Sequence, residues 1–417
     1  MNDESTEASG ESAQDAPHEP LAAVHESAAV TPSAHAPPPP PPAPETFRFT
    51  GSGSEYFRIW IVNLALTIVT LGIYGAWAKV RRLQYFYRST ELAGSGFEYH
   101  GQPKAILIGR VVAVLMFGAY QFAAGVSVAL FAVVVVILLL AGPWLLHNAL
   151  RFRLHNSSYR GLRFGFAGTL GGAYAASYTR LLLIAALGIG ASLLALVSKA
   201  IAGIGMIALV IAVVLWIYPA WYRDFKLYQH NGARYGTRRF SFTATTGQFA
   251  KILAVSVLLS MIAVVVAGVA SQVVNPESLK ILAAGDEERG ELDPKALAGA
   301  LVVVFMIYAA LFLAVMPYFR SRIDNLIWNQ TRLGDHRFES RLSARHLGWL
   351  YFSNLVGVIV TLGFFMPWAL ARLARYRAES LTVVLAEPLD DIVAGDATAA
   401  NALGEEAASV FDIDIAL

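Results

Sequence analysis

The chain has 417 residues, of which 56% are hydrophobic and 15% charged, with a formal net charge of +2. A soluble domain carries about a quarter charged residues, and the 32 residues from Val111 to Gly142 carry no charge at all, so the composition excludes an ordinary soluble domain and indicates a polytopic membrane protein. Cysteine is absent, which rules out disulfides, thiolate metal sites and a cysteine nucleophile.

Residues 1–46 hold eight acids and no Lys or Arg and run into the proline-rich "APPPPPPAPE" (Ala36–Glu45). They are expected to be a disordered tail ending in a stiff polyproline spacer, with no basic or apolar leader. The first apolar stretch, Phe57–Ala78, is interrupted by Thr70-Leu71-Gly72. The second, Ala105–Gly142, is too long for one helix and predicts a hairpin of two spans turning at Tyr120–Gly125. Arg180–Pro219 reads the same way, with a turn near Ser198–Lys199. Ile252–Val274 and Leu297–Pro317 follow, separated by an acidic loop. The last stretch, Leu347–Trp368, again carries Thr-Leu-Gly at Thr361–Gly363, 291 positions after the first. Residues 387–417 form a second tail with eight acids and no Lys or Arg, which leaves 32 basic against 14 acidic residues between the tails.

The connectors between apolar stretches repeat. Pro143, Pro219 and Pro317 are each followed 21 positions later by a phenylalanine (Phe164, Phe240, Phe338) that an arginine precedes (Arg163, Arg239, Arg337); Ala76 and Phe97 stand in the same relation. An F-x-aromatic pair recurs at Phe47/Phe49, Phe97/Tyr99, Phe164/Phe166 and Phe240/Phe242. Each unit reads as a membrane segment, a juxtamembrane amphipathic helix, a turn (at Gly161, Asn231–Gly232 and Gly334) and a short extended aromatic piece. The connectors are rich in Lys and Arg, which places all of them in the cytoplasm. Lys79, Arg81, Arg82, Arg163, Arg238, Arg239 and Arg337 are the candidate contacts to anionic head groups. In the first connector, Trp77, Val80, Leu83 and Tyr87 share one helical face, expected to lie in the head-group region.

The end segments pose a parity problem. If each crosses the membrane once, both tails lie outside and Arg372, Arg375 and Arg377 fall on the wrong side. A helix break at Thr70–Gly72 and at Thr361–Gly363 would instead let each segment enter and return, with Asn63, Thr67 and Asn354 available for hydrogen bonds. The fold expectation is therefore an all-α polytopic membrane protein with six full transmembrane helices and two re-entrant end segments, or with eight transmembrane helices. Its repeated membrane domain spans residues 47–386, between tails at 1–46 and 387–417.

Among chemical motifs little is found. No Asp or Glu lies in an apolar span, which argues against ion-coupled transport; Arg110 is the one charge well inside a predicted segment. His147 and His155 are eight apart but lack the company of a metal site. No phosphate loop, HExxH or nucleophile elbow appears, so no enzyme, metal or cofactor is expected. Dispersed basic residues at helix ends exclude nucleic acid as a partner; the expected partner is the bilayer, in particular anionic phospholipid. The stretch Phe47–Pro103, with "YRGLRFGFAG" (Tyr159–Gly168) and "RYGTRRFSF" (Arg234–Phe242), resembles the YjgN-like family of bacterial membrane proteins, a domain family of unknown function. The resemblance covers about residues 47–380 and implies a bacterial inner-membrane protein without an assigned activity. Two functions remain open: a passive transporter or channel-like protein for a small solute, and a non-catalytic membrane organiser binding anionic lipid or partner proteins through its connectors.

Overall fold

The computed structural model describes residues 44–274 and 294–386; residues 1–43, the acidic loop at 275–293 and the segment from 387 onward lie outside the described residues, and of the tail expected over 1–46 the last two residues are strand instead. The helices come in hairpins. α1 (Gly53–Val69) and α2 (Gly75–Arg88) form a short one. α3 (Pro103–Val126) pairs with α4 (Val128–His155). α5 (Leu170–Leu193) pairs with α6 (Lys199–Ala212), which runs through one π turn into α7 (Tyr218–Gly232). α8 (Thr246–Val274) pairs with α9 (Pro294–Ala310), which runs through another π turn into α10 (Met316–Asn329). α11 (Ala344–Val360) and α12 (Met366–Glu379) form the second short hairpin. Both π turns immediately precede a proline step, Pro219 and Pro317. Proline has no N–H and its ring crowds the carbonyl four residues back, and one widened turn absorbs that conflict.

Among the described residues six helical stretches are long and apolar enough to cross a membrane: 103–126, 128–155, 170–193, 199–232, 246–270 and 301–329. Their outward residues are apolar and exposed, as lipid-facing residues must be; Val114, Ile137, Ile207 and Val265 are examples.

The expectation of an all-α fold is corrected. Between the helices lie eleven short strands: β1 (Glu45–Thr46), β2 (Arg48–Phe49), β3 (Thr90–Leu92), β4 (Ser95–Tyr99), β5 (Ser157–Tyr159), β6 (Leu162–Phe166), β7 (Ala233–Tyr235), β8 (Arg238–Phe242), β9 (Thr331–Leu333), β10 (His336–Ser340) and β11 (Leu381–Val384). They form one sheet in the order β1-β11-β10-β9-β8-β7-β6-β5-β4-β3-β2. Every described pairing is antiparallel, and β1 pairs with β11 while β2 pairs with β3. Phe47 alone separates β1 from β2, so one segment is bonded on both sides and the sheet closes into a ring without an edge. Each strand is too short to stand alone; partners from the next unit, far away in sequence, supply the stability, which is why a local reading finds the short extended aromatic pieces but not the sheet they form.

The repeat is fivefold. Each copy is a helical hairpin followed by a pair of strands, and the fifth copy joins both ends of the chain: after α11–α12, β11 supplies its first strand and residues 45–49 its second. Two turns also fall elsewhere than expected. The α3–α4 turn is at Ser127, whose hydroxyl accepts from the Leu130 N–H at 3.1 Å and so caps α4, while Tyr120–Gly125 stays helical. In the third connector the strand turn is Gly236–Thr237, because Asn231–Gly232 still belongs to α7.

Candidate functional site

The interior of the ring is built by register. Phe97 faces Tyr159, Phe164 faces Tyr235, Phe240 faces Leu333 and Phe338 faces Val383 as cross-strand partners. Extending the β2–β3 register by one residue sets Phe47 opposite Leu92. The inward residues thus come as five phenylalanines and five partners, one pair per repeat; eight of the ten form one buried cluster, and Phe164 and Phe240, half-buried, pack against it. Stacking runs around it: Phe47–Phe97 at 6.0 Å, Phe97–Tyr159 at 4.7 Å, Phe164–Tyr235 at 4.8 Å and Phe240–Phe338 at 6.2 Å. Two tyrosines stitch successive repeats. The Tyr159 hydroxyl donates to the Leu92 carbonyl at 2.7 Å, and the Tyr235 hydroxyl donates to the Tyr159 carbonyl at 2.9 Å.

A second tyrosine position holds the two ends of a hairpin together. Tyr85 accepts from the Ser52 N–H (2.8 Å) and donates to the Ser52 carbonyl (2.9 Å). Tyr376 makes the same pair of bonds to Ser343 at 2.7 and 3.3 Å, and Tyr228 donates to the Thr169 carbonyl at 3.0 Å. Burial raises the Tyr85 pKa above its ordinary value, so the hydroxyl stays a donor. Ser52, Thr169 and Ser343 also cap the helices that follow, each five residues after the ring phenylalanine of its repeat. This spacing is visible in the sequence once the phenylalanines are aligned.

At the tip of each short hairpin the Thr-Leu-Gly triplet makes the break. Leu71 and Gly72 have φ of 50° and 92°; Leu362 and Gly363 have 51° and 96°. The threonine hydroxyl works in both directions. Thr70 Oγ1 donates to the Leu66 carbonyl and accepts from the Tyr74 N–H, and Thr361 Oγ1 does the same with Gly357 and Phe365. Arg110, from α3, reaches the Gly72 carbonyl at 3.5 Å. The lack of a side chain at Gly75 leaves room for it, since a Cβ there would come within 2.5 Å of Arg110 Nη1. Asn63 and Asn354 differ. Asn354 Oδ1 accepts from Arg372 at 2.8 Å. Asn63 is buried with no partner for Oδ1, and Arg81, at the position equivalent to Arg372, lies over the Tyr74 ring at 5.7 Å.

The basic residues separate into two groups. Lys79 and Arg82 line a cavity of about 510 Å³ between the helix ends and the ring. Arg163, Arg239 and Arg337 are exposed on the outside of the ring, flanked by half-buried residues in β6 and β8 and by buried ones in β10. Arg238 starts β8, beside Gly334. The face of α2 expected on lipid packs on protein instead: Trp77, Leu83 and Tyr87 surround the buried cluster of Ala76, Val80, Tyr99 and Ile106. The histidines go to separate partners, His147 to Tyr228 at 2.9 Å and His155 to Arg163 at 3.3 Å.

A family model described as "Bacterial protein of unknown function (DUF898)" matches residues 44–410. The chain belongs to the DUF898 family. This DUF898 protein is 27% identical over 355 residues to "Inner membrane protein YjgN" of Salmonella typhimurium (strain LT2), an alignment that covers 81% of this chain and 88% of the relative. It is 25% identical over 368 residues to the protein of the same name from Escherichia coli (strain K12), covering 83% and 90%. No solved structure matches. Together with its six candidate spans, these relatives identify the DUF898 protein as a multi-pass inner-membrane protein, as the resemblance implied.

Proposed function

We propose that this protein is a non-catalytic binding scaffold of the inner membrane, which crosses the bilayer six times, inserts two re-entrant hairpins, and holds anionic lipid head groups on its basic helix ends. The topology is supported by pairing at the ring: β2 leads into the α1–α2 hairpin and pairs with β3, which leaves it, and β10 and β11 bracket α11–α12 in the same way. Both ends of each short hairpin therefore stand on one side. α1 is 17 residues long, about 25 Å, against a hydrocarbon core of about 30 Å. Leu71 and Leu362 at the tips are more than nine-tenths and nine-tenths exposed, which suits lipid contact.

The observation that carries the binding function is the position of the cations in the first turns of α2, just past the half-buried Trp77. Lys79, Arg81 and Arg82 follow Trp77 by two to five residues, about 3–8 Å along the helix. That is head-group depth. The outward arginines of the ring lie a further turn or more from the membrane and suit an acidic partner in the cytoplasm. The channel reading is the weaker one, because the ring axis is filled by the phenylalanine and tyrosine cluster.

Arg81→Gln with Arg82→Gln is expected to reduce phosphatidylglycerol-vesicle binding of the purified protein, with no effect on phosphatidylcholine. Equal binding to both lipids would remove the scaffold reading, and solute uptake by proteoliposomes above empty vesicles would restore the transporter.

A further inference from the structure

The cavity between the helix ends and the ring has a lopsided lining. Lys79, Arg82, Arg153 and Arg377 contribute side chains to it, together with His230 and His336, and no Asp or Glu does. Aromatic and aliphatic groups make up most of the remaining wall. Asp324, outside the lining, pairs with Arg377 at 3.7 Å; the side chains that face the space are still cationic, and an anion entering it is favoured. The apolar wall disfavours a fully hydrated inorganic ion, which would lose its water without replacement. Charge and wall together specify an anion with an apolar body. The volume of about 510 Å³ is within the range of roughly 300–1,000 Å³ usual for small-molecule sites.

The cavity is also uneven in height. On α4, α7 and α10 its lining begins at Arg153, Gln229 and Trp328; on α2 and α12 it begins at Lys79 and Leu370, two turns nearer the membrane in the repeat. The positions equivalent to Arg82 and Leu373 are Ala149, Phe225 and Ile323 in the other three repeats, and all three are buried in the packing between helices. The cavity thus rises only along the two hairpins that stop short, where the helix layer is lowest. α1 packs against both α2 and α12.

We propose that this cavity holds one anionic amphiphile taken from the surrounding leaflet over the turns at Thr70–Tyr74 and Thr361–Phe365. Its charged group sits on Arg153 and Arg377, and its apolar part leaves past Leu373 towards the bilayer. The site rests on the reading that the basic helix ends take anionic lipid and adds to it a single enclosed position.

The test uses the full chain, purified in a mild detergent, with lipids counted by native mass spectrometry and two probes added back: phosphatidylglycerol and the soluble octyl phosphate. Wild type is expected to retain one phosphatidylglycerol. Leu373→Trp, which fills the cavity and removes no charge, is expected to lose it, and Ala374→Leu serves the same purpose should the tryptophan variant misfold. Arg153→Gln with Arg377→Gln is expected to weaken retention roughly tenfold or more, while Arg341→Gln, exposed and outside the cavity, leaves it unchanged. Octyl phosphate bound in place of the lipid, and displaced by Leu373→Trp, supports the site with a soluble amphiphile as its source. Retention unchanged in both filled variants but lost in Arg81→Gln overturns the cavity and leaves the helix-end reading standing. Absence of any anion preference in wild type overturns both.

Discussion

Arg375 donates to the carbonyl of Gly51 at 2.9 Å, across 324 positions of the chain. The bond crosses the seam where the last repeat meets the first. Around it, Phe57 packs on Trp368 at a tilt with centroids 5.1 Å apart, and the missing side chain at Gly53 makes room for the same tryptophan. A Cβ at Gly53 would come within 2.3 Å of the Trp368 ring and 2.9 Å of its backbone.

Gly53 and Gly72 are therefore expected to respond differently to added bulk. Gly53→Ala should cost about 2–3 kcal/mol through overpacking, and Gly53→Leu clearly more. Gly72 has φ of 92° and open space around its Cβ position, so Gly72→Ala should cost about 1–2 kcal/mol of backbone strain, and Gly72→Leu about the same. Thermal unfolding of the detergent-solubilised protein measures both series. A size dependence at Gly72 would show that the hairpin tip is packed against something.

The tyrosine stitches make a second quantitative test. Tyr159→Phe and Tyr235→Phe each remove a buried donor to the carbonyl of the preceding repeat. Each should cost about 1–2 kcal/mol, while Leu333→Tyr, at the equivalent place in the next repeat, can gain part of that by reaching the Tyr235 carbonyl. Midpoint shifts in denaturant would report it; a stabilised Tyr235→Phe would contradict the stitch.

Much of this architecture could be read from the amino acids alone. The apolar stretches, the spacing of 21 from Pro143, Pro219 and Pro317 to their phenylalanines, and the helix break at Thr-Leu-Gly are local signals, and local chemistry produces each of them. The ring was not readable. Its strands are two to five residues long, and what holds Phe97 against Tyr159 is a partner in the next repeat, which no window on the chain contains. The fifth repeat was hidden for a further reason: its helix α12 and its phenylalanine, Phe47, lie at opposite ends of the sequence. The site was half visible. Lys79 and Arg82 stood out as basic, but Arg153 and Arg377 join them only because the fold brings equivalent positions of different repeats around one axis.

The outward face of the ring carries an unfavourable pattern. Arg234 stands directly opposite Arg239, and Arg332 directly opposite Arg337. Like charges at facing positions destabilise a sheet by a few tenths to about 1 kcal/mol. Arg332→Thr is thus expected to raise the unfolding midpoint slightly at low salt, with the gain disappearing at high salt. A loss of stability at low salt would mean that the pair already holds a bound anion.

The most direct test of the closed ring joins its ends covalently. Thr46 and Thr382 are cross-strand partners with hydroxyls 3.0 Å apart. The neighbouring Phe47 N–H bonds to the Leu381 carbonyl, so this is a non-hydrogen-bonded pair, the closer kind, and suits a disulfide. The natural chain has no cysteine to interfere. Thr46→Cys with Thr382→Cys, in a chain carrying a protease site within residues 275–293, should oxidise readily in the membrane, and the two fragments should then stay together after cleavage until reductant is added. Fragments that separate without reductant, under conditions where control pairs oxidise, would show that the first and last strands do not meet.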